Sequence, residues 1–100
     1  MRKRLSIEIL SIKARVVTVG QIKAARALLG WSQADLARES EVSEPTIARL
    51  ESSGDRLGGR PETGEKLQSA LENGGIEFLD ENGGGPGVRL RKGRPKGRNR

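Results

Sequence analysis

Residues 33–52 place the strongest constraint on how this chain can fold, because their pattern predicts two short helices joined by a tight turn. Ser32 and Asp35 have the spacing of a helix-capping pair and stand just ahead of apolar Leu36. Leu36 and Ser40 then share one face at helical spacing, while the polar side chains between them face away. The first helix of the pair therefore has one packing face and one free face.

The second helix of the pair has its own start signal. Ser43 is a suitable N-cap, and Pro45 falls in the first turn, where a missing backbone N–H costs nothing. Ile47 and Leu50 point to the same side at helical spacing, and Val42 in the turn completes a small apolar cluster. The pattern predicts two helices that cross closely and bury a shared apolar surface.

Another helix is predicted before this pair, from about Val19 to Leu29. Thr18 and Gln21 have the spacing of a capping box, and Gly30 ends the helix. The apolar stripe of this helix contains one charge, Arg26. A buried arginine needs a partner, and the alternative is a side chain that reaches out to solvent.

In the second half of the chain, glycine and proline residues mark the ends of the predicted elements. Residues 52–61 predict a loop, and Pro61 suits the first turn of a fourth helix from about Glu62 to Asn73. Residues 76–79 and 88–90 alternate weakly around a Gly-rich segment, which predicts a two-stranded hairpin. Because isolated hairpins are marginal in water, this one is expected to pack on the helices or to pair across a dimer.

Composition narrows the classes of function. The 100 residues suffice for one domain with a modest core, in which only Trp31 and Phe78 are aromatic. The absence of Cys and His excludes disulfides, thiolate nucleophiles, the usual zinc sites and the commonest general base. An enzyme is therefore not expected, and neither is a metal or another cofactor. No apolar run approaches the ~20 residues that span a membrane, so a cytoplasmic protein is predicted.

The net charge of +6 is concentrated at the two ends of the chain. Residues 5–88 hold nine basic and thirteen acidic side chains, whereas residues 89–100 hold seven basic and no acidic ones. The overall charge thus says little about the folded part. The basic ends are suited to nonspecific attraction to phosphates, which falls steeply with salt.

These patterns resemble the helix-turn-helix of phage-repressor-like, Xre-type (Cro/C1-type) transcriptional regulators. The matching residues are Gln33, Ala37, Val42, Ser43, Thr46, Ile47, Leu50 and Glu51. The resemblance also covers residues 24–32, 74–78 and 81–90. It implies a mainly α fold, in which a compact four-helix repressor-like DNA-binding domain with a helix-turn-helix precedes a small C-terminal β-hairpin and a basic tail.

The expected organisation is an N-terminal arm over residues 1–17, the helix-turn-helix domain over 18–75, the hairpin over 76–91 and a disordered basic tail over 92–100. One position departs from the family. Regulators of this type usually have Gly in the turn, where the backbone is left-handed, and this chain has Glu41. A residue other than Gly in that conformation costs roughly 1 kcal/mol.

The resemblance implies which residues bind double-stranded DNA. The second helix of the pair is expected to lie in the major groove. Arg49 can bond bidentately to guanine, and Glu44 can accept a hydrogen bond from cytosine N4. The family's base-contact positions fall on Ser43, Glu44, Pro45 and Arg49.

The remaining site residues serve the DNA backbone or the fold. Family members pair an arginine at the place of Arg26 with a glutamate at the place of Glu51, and the same ion pair is expected here. The start of the preceding helix and the loop after the second one are expected to lie beside the DNA backbone. Phosphate contacts are therefore expected from Ser32, Gln33, Thr46, Arg56 and Arg60. For Arg56 and Arg60 the equal alternative is a pair of solvated loop charges, and Thr46 can instead bond within its own helix.

Both ends of the chain leave alternatives open. Residues 5–9 alternate as in a strand, but residues 5–16 also carry a helical stripe. A strand that pairs with the C-terminal segment, a dimer contact and a loosely attached arm all fit, and an extended or loosely attached arm is favoured. Residues 92–96 resemble an AT-hook, in which Arg94 would enter the minor groove of A·T-rich DNA. A generic basic tail is the favoured interpretation.

Two functions fit these observations. The first is a sequence-specific transcriptional regulator, expected to be a repressor that binds a palindromic site as a homodimer. The second is an antitoxin-like module that masks a partner protein and binds DNA secondarily. A groove-facing Arg49 favours the first, and an apolar surface formed by the N-terminal arm favours the second.

Overall fold

The computed structural model describes residues 17–54, 57–80 and 83–92. In this part of the chain four helices precede one antiparallel hairpin, which confirms the predicted fold class. The elements are α1 (Val19–Leu29), α2 (Gln33–Ser40), α3 (Glu44–Glu51), α4 (Pro61–Asn73), β1 (Ile76–Leu79) and β2 (Gly87–Leu90). The predictions for the arm up to residue 16, for Arg56 and for the tail from residue 93, Arg94 included, lie outside the described residues.

The first two helices begin where the capping patterns predicted. The hydroxyl of Thr18 accepts from the Gln21 backbone N–H at 3.0 Å, and the Gln21 side chain accepts from the Thr18 N–H at 2.9 Å. Ser32 and Asp35 make the same two bonds at 3.0 and 2.9 Å. Each pair satisfies two N–H groups that a helix start would otherwise leave without an acceptor.

The core is apolar and draws on all four helices and on β1. Val17, the last residue of the segment predicted as an arm, is also buried in it. Because α3 contributes Ile47 and Leu50, its inner side is fixed against α1 and α2. The largest fully buried side chains are Ile22, Leu36, Ile47, Leu67, Leu71 and Ile76.

The hairpin packs on the helices, the first of the two arrangements expected for it. Ile76 is fully buried, and Phe78 and Val88, which face each other across the strands, pack against the core. The buried Gln21 side chain of α1 donates to the carbonyls of Gly87 and Leu79, at 2.9 and 3.3 Å. These two bonds fix the loop end of the hairpin to the first turn of α1.

Trp31 packs over the C-terminal end of α4. A Cβ at Gly74 would lie 2.9 Å from Cζ2 of Trp31 and 3.1 Å from Cδ1 of Leu29. The backbone of Gly74 is right-handed, with φ −80°, so this glycine is needed for space and not for its conformational freedom. The close approach joins the link between α1 and α2 to the start of the hairpin.

The turn between α2 and α3 keeps the left-handed conformation without a glycine. Glu41 has φ 64° and ψ 26°, and its N–H donates to the Ala37 carbonyl at 2.8 Å. Among the described residues, Glu41 alone combines a side chain with a positive φ. The Ser40 hydroxyl accepts from the Val42 N–H at 3.1 Å and so holds the next residue of the turn.

Replacing Glu41 with glycine is expected to stabilise the protein. Glycine relieves about 1 kcal/mol of left-handed strain but adds freedom to the unfolded chain, so a net gain of roughly 0.5 kcal/mol is expected. In a domain of this size each kcal/mol shifts Tm by about 4–8 °C. Thermal unfolding measures the change. The control is Glu65→Gly, at an exposed position inside α4, which should cost about 1 kcal/mol. Equal losses of stability in the two variants would contradict the left-handed backbone conformation at Glu41.

Candidate nucleic-acid interface

The outer face of α3 is free of the rest of the described chain. Ile47, Leu50 and Glu51 are buried on the inner side of this helix. The outer side carries a different set of residues, all exposed: Glu44, Pro45, Ala48 and Arg49. A helix held on one side and open on the other can enter a groove in a partner without unfolding the core.

Arg49 presents a charge that no carboxylate neutralises within the described residues. Its side chain is exposed and makes no hydrogen bond or ion pair in residues 17–54, 57–80 and 83–92. Four of the other five described arginines lie within 3.9 Å of a glutamate or aspartate, namely Arg26, Arg38, Arg60 and Arg89. The fifth, Arg91, donates to the Ile76 carbonyl. The Arg49 guanidinium therefore keeps its five N–H donors for a partner.

A buried network joins α1, the start of α2 and the end of α3. Arg26 donates to both carboxylate oxygens of Glu51, from Nε at 2.8 Å and from Nη2 at 2.7 Å. Its Nη1 donates to the Trp31 carbonyl at 2.9 Å. Gln33 donates from Nε2 to Oε1 of Glu51 at 2.9 Å. The structure thus brings together three residues singled out from the sequence, and we name Arg26, Glu51 and Gln33 the interhelical network.

The network holds the Glu51 carboxylate in its charged form. The Glu51 side chain is only 5% exposed, and burial by itself would raise its pKa. Hydrogen bonds from Arg26 and Gln33, together with the charges of Arg26 and Lys23, outweigh burial and lower the pKa below 4.5. The hydrogen bond with Glu51 also raises the pKa of Arg26 against the opposing effect of burial. At neutral pH both partners are therefore charged.

The start of α2 offers hydrogen-bond donors to an anion. Ser32 and Asp35 cap each other, but the backbone N–H groups of Gln33 and Ala34 have no acceptor in the described chain. The Gln33 side-chain amide has two N–H bonds, and Glu51 takes one of them. The second N–H and the free backbone N–H groups can bind one phosphate oxygen.

At the start of α3, Ser43 is engaged with its own helix. Its oxygen accepts from the Thr46 N–H at 3.3 Å, and its hydroxyl donates to Thr46 Oγ1 at 2.8 Å. The Ser43 hydroxyl hydrogen is thus already used, whereas the Thr46 hydroxyl can still donate outward. This geometry suits Thr46 as a phosphate donor and leaves Ser43 only acceptor capacity.

Two further basic residues border this region. Arg60 is 78% exposed just before α4, and its Nη1 lies 3.9 Å from Oε2 of Glu62, which is a loose pair. Lys23, which sequence reasoning missed, is exposed one helical turn before Arg26 and close enough for its charge to lower the pKa of Glu51. In the sequence, the spacing of three residues between Lys23 and Arg26 was the sign that the two side chains lie on one face of α1.

A shallow cleft between α2 and α4 has the opposite charge character. It is lined by Glu39, Glu62 and Glu65, with one lysine, and by no residue of α3. Phosphates would be repelled there, whereas the start of α2 and Arg49 on the outer face of α3 offer hydrogen-bond donors to an anion. The described residues contain no acidic cluster that could hold a metal ion, and none of their helices is long and apolar enough to cross a membrane.

Comparison with known proteins agrees with this geometry. A helix-turn-helix family model matches residues 22–58, which run from α1 to just past α3. Comparison with the curated proteins found no significant match. The matched segment contains the interhelical network, the capped start of α2 and the exposed face of α3. The match therefore identifies a helix-turn-helix of the Cro/C1 type within residues 22–58.

Proposed function

We propose that this protein is a sequence-specific regulator of transcription that binds double-stranded DNA as a dimeric repressor and lays α3 in the major groove. The observation that carries this proposal is the exposed face of α3, on a helix whose other side is fixed by the core and by the interhelical network. Arg49 on that face has no ion-pair partner among the residues that the structure describes. Rigid presentation matters because base readout depends on placing a few side chains to within a fraction of an ångström.

Arg49 is the residue proposed to read a base directly. A guanidinium can donate two parallel hydrogen bonds to O6 and N7 of guanine, and such a pair discriminates by about 1–3 kcal/mol. Glu44, exposed in the first turn of α3, is suited to accept from cytosine N4 and to repel the backbone at wrong sites. Pro45 offers apolar contact to a thymine methyl group. Ser43 contributes acceptor capacity and the N-cap.

Phosphate contacts are assigned to the donors around α3. The start of α2, with Ser32 and Gln33, and the Thr46 hydroxyl supply these donors. Arg60 and Lys23 add charge at the two borders of this surface. Arg56 belongs to the same proposal through its place in the loop, although it lies outside the described residues. These contacts fix the register of the protein and carry no sequence information by themselves.

The dimer follows from the need to bind two half-sites. One eight-residue helix reads only a few base pairs, and a twofold dimer doubles this number on a palindrome whose half-sites lie about 34–36 Å apart. Sequence selection from random duplexes tests the proposal, with the oligomeric state measured by sedimentation. A palindromic motif with this spacing, bound by a dimer, is expected. Binding without any preferred sequence would overturn the proposal.

Arg49→Ala is expected to remove the preference at one base pair of the selected site. The loss should be about 10- to 100-fold in discrimination, the equivalent of one bidentate pair. Arg49→Lys keeps the charge but not the fork of donors, so it should bind with similar overall affinity and still lose the preference. The matched control is Arg38→Ala, an exposed arginine of α2 that pairs with Asp35. If Arg49→Ala weakens all sequences equally, Arg49 contacts phosphate and not a base.

A second candidate function rests on exposed apolar residues away from α3. Leu28 of α1 is 45% exposed and Leu90 of β2 is 49% exposed, the two large hydrophobic side chains most open to solvent in the described chain. Such residues suit an antitoxin-like module that covers a partner protein and binds DNA secondarily. Changing both leucines to glutamine separates the two functions. Both functions predict unchanged DNA binding in this variant, and only the second predicts that a bound partner protein is lost.

A further inference from the structure

Trp31 lies in the short link between α1 and α2, directly before the N-cap Ser32. Its backbone N–H donates to the Arg26 carbonyl at 2.9 Å, and its carbonyl accepts from Nη1 of Arg26, also at 2.9 Å. The same guanidinium donates to Glu51 in α3. The backbone of Trp31 is therefore fixed to α1 and, through Arg26, to the end of α3.

The indole ring fixes the link to a third helix. A Cβ at Gly74 would lie 2.9 Å from Cζ2 and 3.0 Å from Cη2 of the ring, which packs against the core. The Gly74 N–H donates to the carbonyls of Ala70 and Leu71, both at 3.0 Å, so this backbone belongs to the last turn of α4. The ring thus packs closely on a surface that is itself held by hydrogen bonds.

The residues that follow Trp31 are the ones to which the proposed function assigns a phosphate. Ser32 is bound within the first turn of α2, by the capping box with Asp35 at 2.9 and 3.0 Å. Gln33 is bound to α3, through its 2.9 Å hydrogen bond to Glu51. The capping box fixes the shape of this turn but not its place relative to α1 and α4. That place depends on Gln33 and on the link.

We propose that Trp31 is the positioning residue for the phosphate contacts at the start of α2. Its ring on Gly74 and its backbone on Arg26 set where the donors of Ser32 and Gln33 meet the DNA backbone. This inference rests on the proposed function and adds to it a residue that acts through its neighbours. A ring that contributed apolar burial alone would change stability and leave DNA binding by the folded protein as it is.

The first test is Trp31→Ala in the full-length protein, at a temperature where the variant is folded. Affinity should fall about 10-fold on every sequence, the equivalent of one hydrogen bond to a charged group. Base preference should stay unchanged, because Ile47 and Leu50 still hold α3 in place. The dependence of affinity on salt should also change little, because the donors at the start of α2 carry no charge.

A scan of single methylphosphonate substitutions in the selected duplex shows which phosphate is affected. Gln33→Ala identifies the phosphate that α2 contacts, as the one whose substitution no longer weakens binding by that variant. Trp31→Ala should lose its response at the same phosphate and keep it at the others. A full response there in Trp31→Ala would overturn the proposal.

Two control variants separate positioning from stability. Trp31→Phe keeps a flat ring at this position and should restore affinity to within about 3-fold of the unchanged protein, less than the loss of one such hydrogen bond. Leu67→Ala shortens a fully buried side chain of α4 and should leave the affinity of the folded protein unchanged. If Leu67→Ala weakens binding as much as Trp31→Ala, loss of stability explains both results and the proposal is wrong.

Gly74→Ala tests the position of the ring while the ring is retained. Alanine is compatible with the right-handed backbone there, so the added Cβ acts by displacing the ring. Affinity should fall, whereas in the Trp31→Ala background the same change should have no further effect. Losses that simply add in the double variant would contradict positioning through the ring.

Hydrogen exchange without DNA makes the test independent of what α3 reads. Trp31→Ala should speed exchange at the backbone N–H groups of Ser32 and Asp35 and not at those of Thr18 and Gln21, the matched capping box of α1. Unchanged exchange at Ser32 and Asp35 would overturn this inference. If site selection yields no preferred sequence, faster exchange together with weaker binding to a random duplex would support Trp31 while the proposed function fails.

Discussion

Replacing Glu51 with alanine is expected to lower the free energy of unfolding by roughly 3–5 kcal/mol. The substitution leaves the Arg26 guanidinium, only 18% exposed, without its carboxylate, and it removes the acceptor of the Gln33 amide. An uncompensated charge in a partly buried site costs far more than the ion pair contributed. Chemical denaturation at neutral pH measures the loss.

Two variants show whether the loss comes from the stranded charge. Glu39→Ala removes an exposed glutamate whose nearest contact with Arg38 is 3.8 Å, so it should change stability by no more than about 0.5 kcal/mol. Arg26→Met combined with Glu51→Leu removes both charges and should be less destabilised than Glu51→Ala alone. If the double variant is the less stable of the two, the network contributes through its hydrogen bonds and not through paired charge.

The interhelical network also makes the free energy of unfolding depend on pH in the acidic range. The pKa of Glu51 is lower in the folded protein than its ordinary value of 4.5. The charged Glu51 carboxylate therefore contributes to the free energy of unfolding above pH 4.5, and this contribution is lost as the pH falls through the pKa of the folded protein. In Glu51→Gln, stability should therefore decline less between neutral pH and strongly acidic pH than in the unchanged protein. Denaturation at a series of pH values measures the difference. Parallel curves for the two proteins would contradict it.

Ile47→Ala is expected to destabilise the protein by about 2–5 kcal/mol without changing which sequence it prefers. Ile47 is fully buried on the inner side of α3, so shortening it leaves a cavity between this helix and its neighbours. Arg49, two residues later on the outer side, is exposed. Arg49→Ala should therefore do the opposite, with a change in stability of about 0.5 kcal/mol or less and a loss of base preference.

Ile47→Ala and Arg49→Ala test the buried and the exposed face of α3 independently. Stability is measured by denaturation, and preference by competition between selected and altered sites, at a temperature where Ile47→Ala remains folded. If Ile47→Ala also changes the preferred base, shortening this buried side chain displaces the whole of α3. If Arg49→Ala destabilises strongly, its side chain has a role in the fold, and the assignment of Arg49 to base readout is wrong.

Local chemistry explains why much of the fold was predictable. The capping boxes at Thr18 and Ser32 use residues three positions apart, and both formed as predicted. The pattern of apolar spacing also predicted which face of α3 is buried, because a helix repeats every 3.6 residues in any protein. The left-handed turn at Glu41 came from the family resemblance, and the structure has it.

Such local patterns could not predict contacts between residues that are far apart in the chain. Nothing in the sequence indicated that the Gln33 amide donates to Glu51. The spacing of Lys23 from Arg26 placed the two side chains on one face of α1, but only the packing of α3 shows that Lys23 lowers the pKa of Glu51. The space requirement at Gly74 became visible only when Trp31 was found over it. Gln21 was predicted as a capping residue, but its second role, as donor to both strands of the hairpin, joins residues far apart in the chain.

The sequence by itself determined where each helix starts, which side of α3 is buried and that Arg49 stands on the other side, since these follow from hydrogen bonds and spacing within a few residues. Only the tertiary structure decided that Arg26, Glu51 and Gln33 share one network and that the hairpin packs on α1. Such contacts depend on how whole elements pack, because burial and side-chain reach are set by neighbours that are remote in the chain.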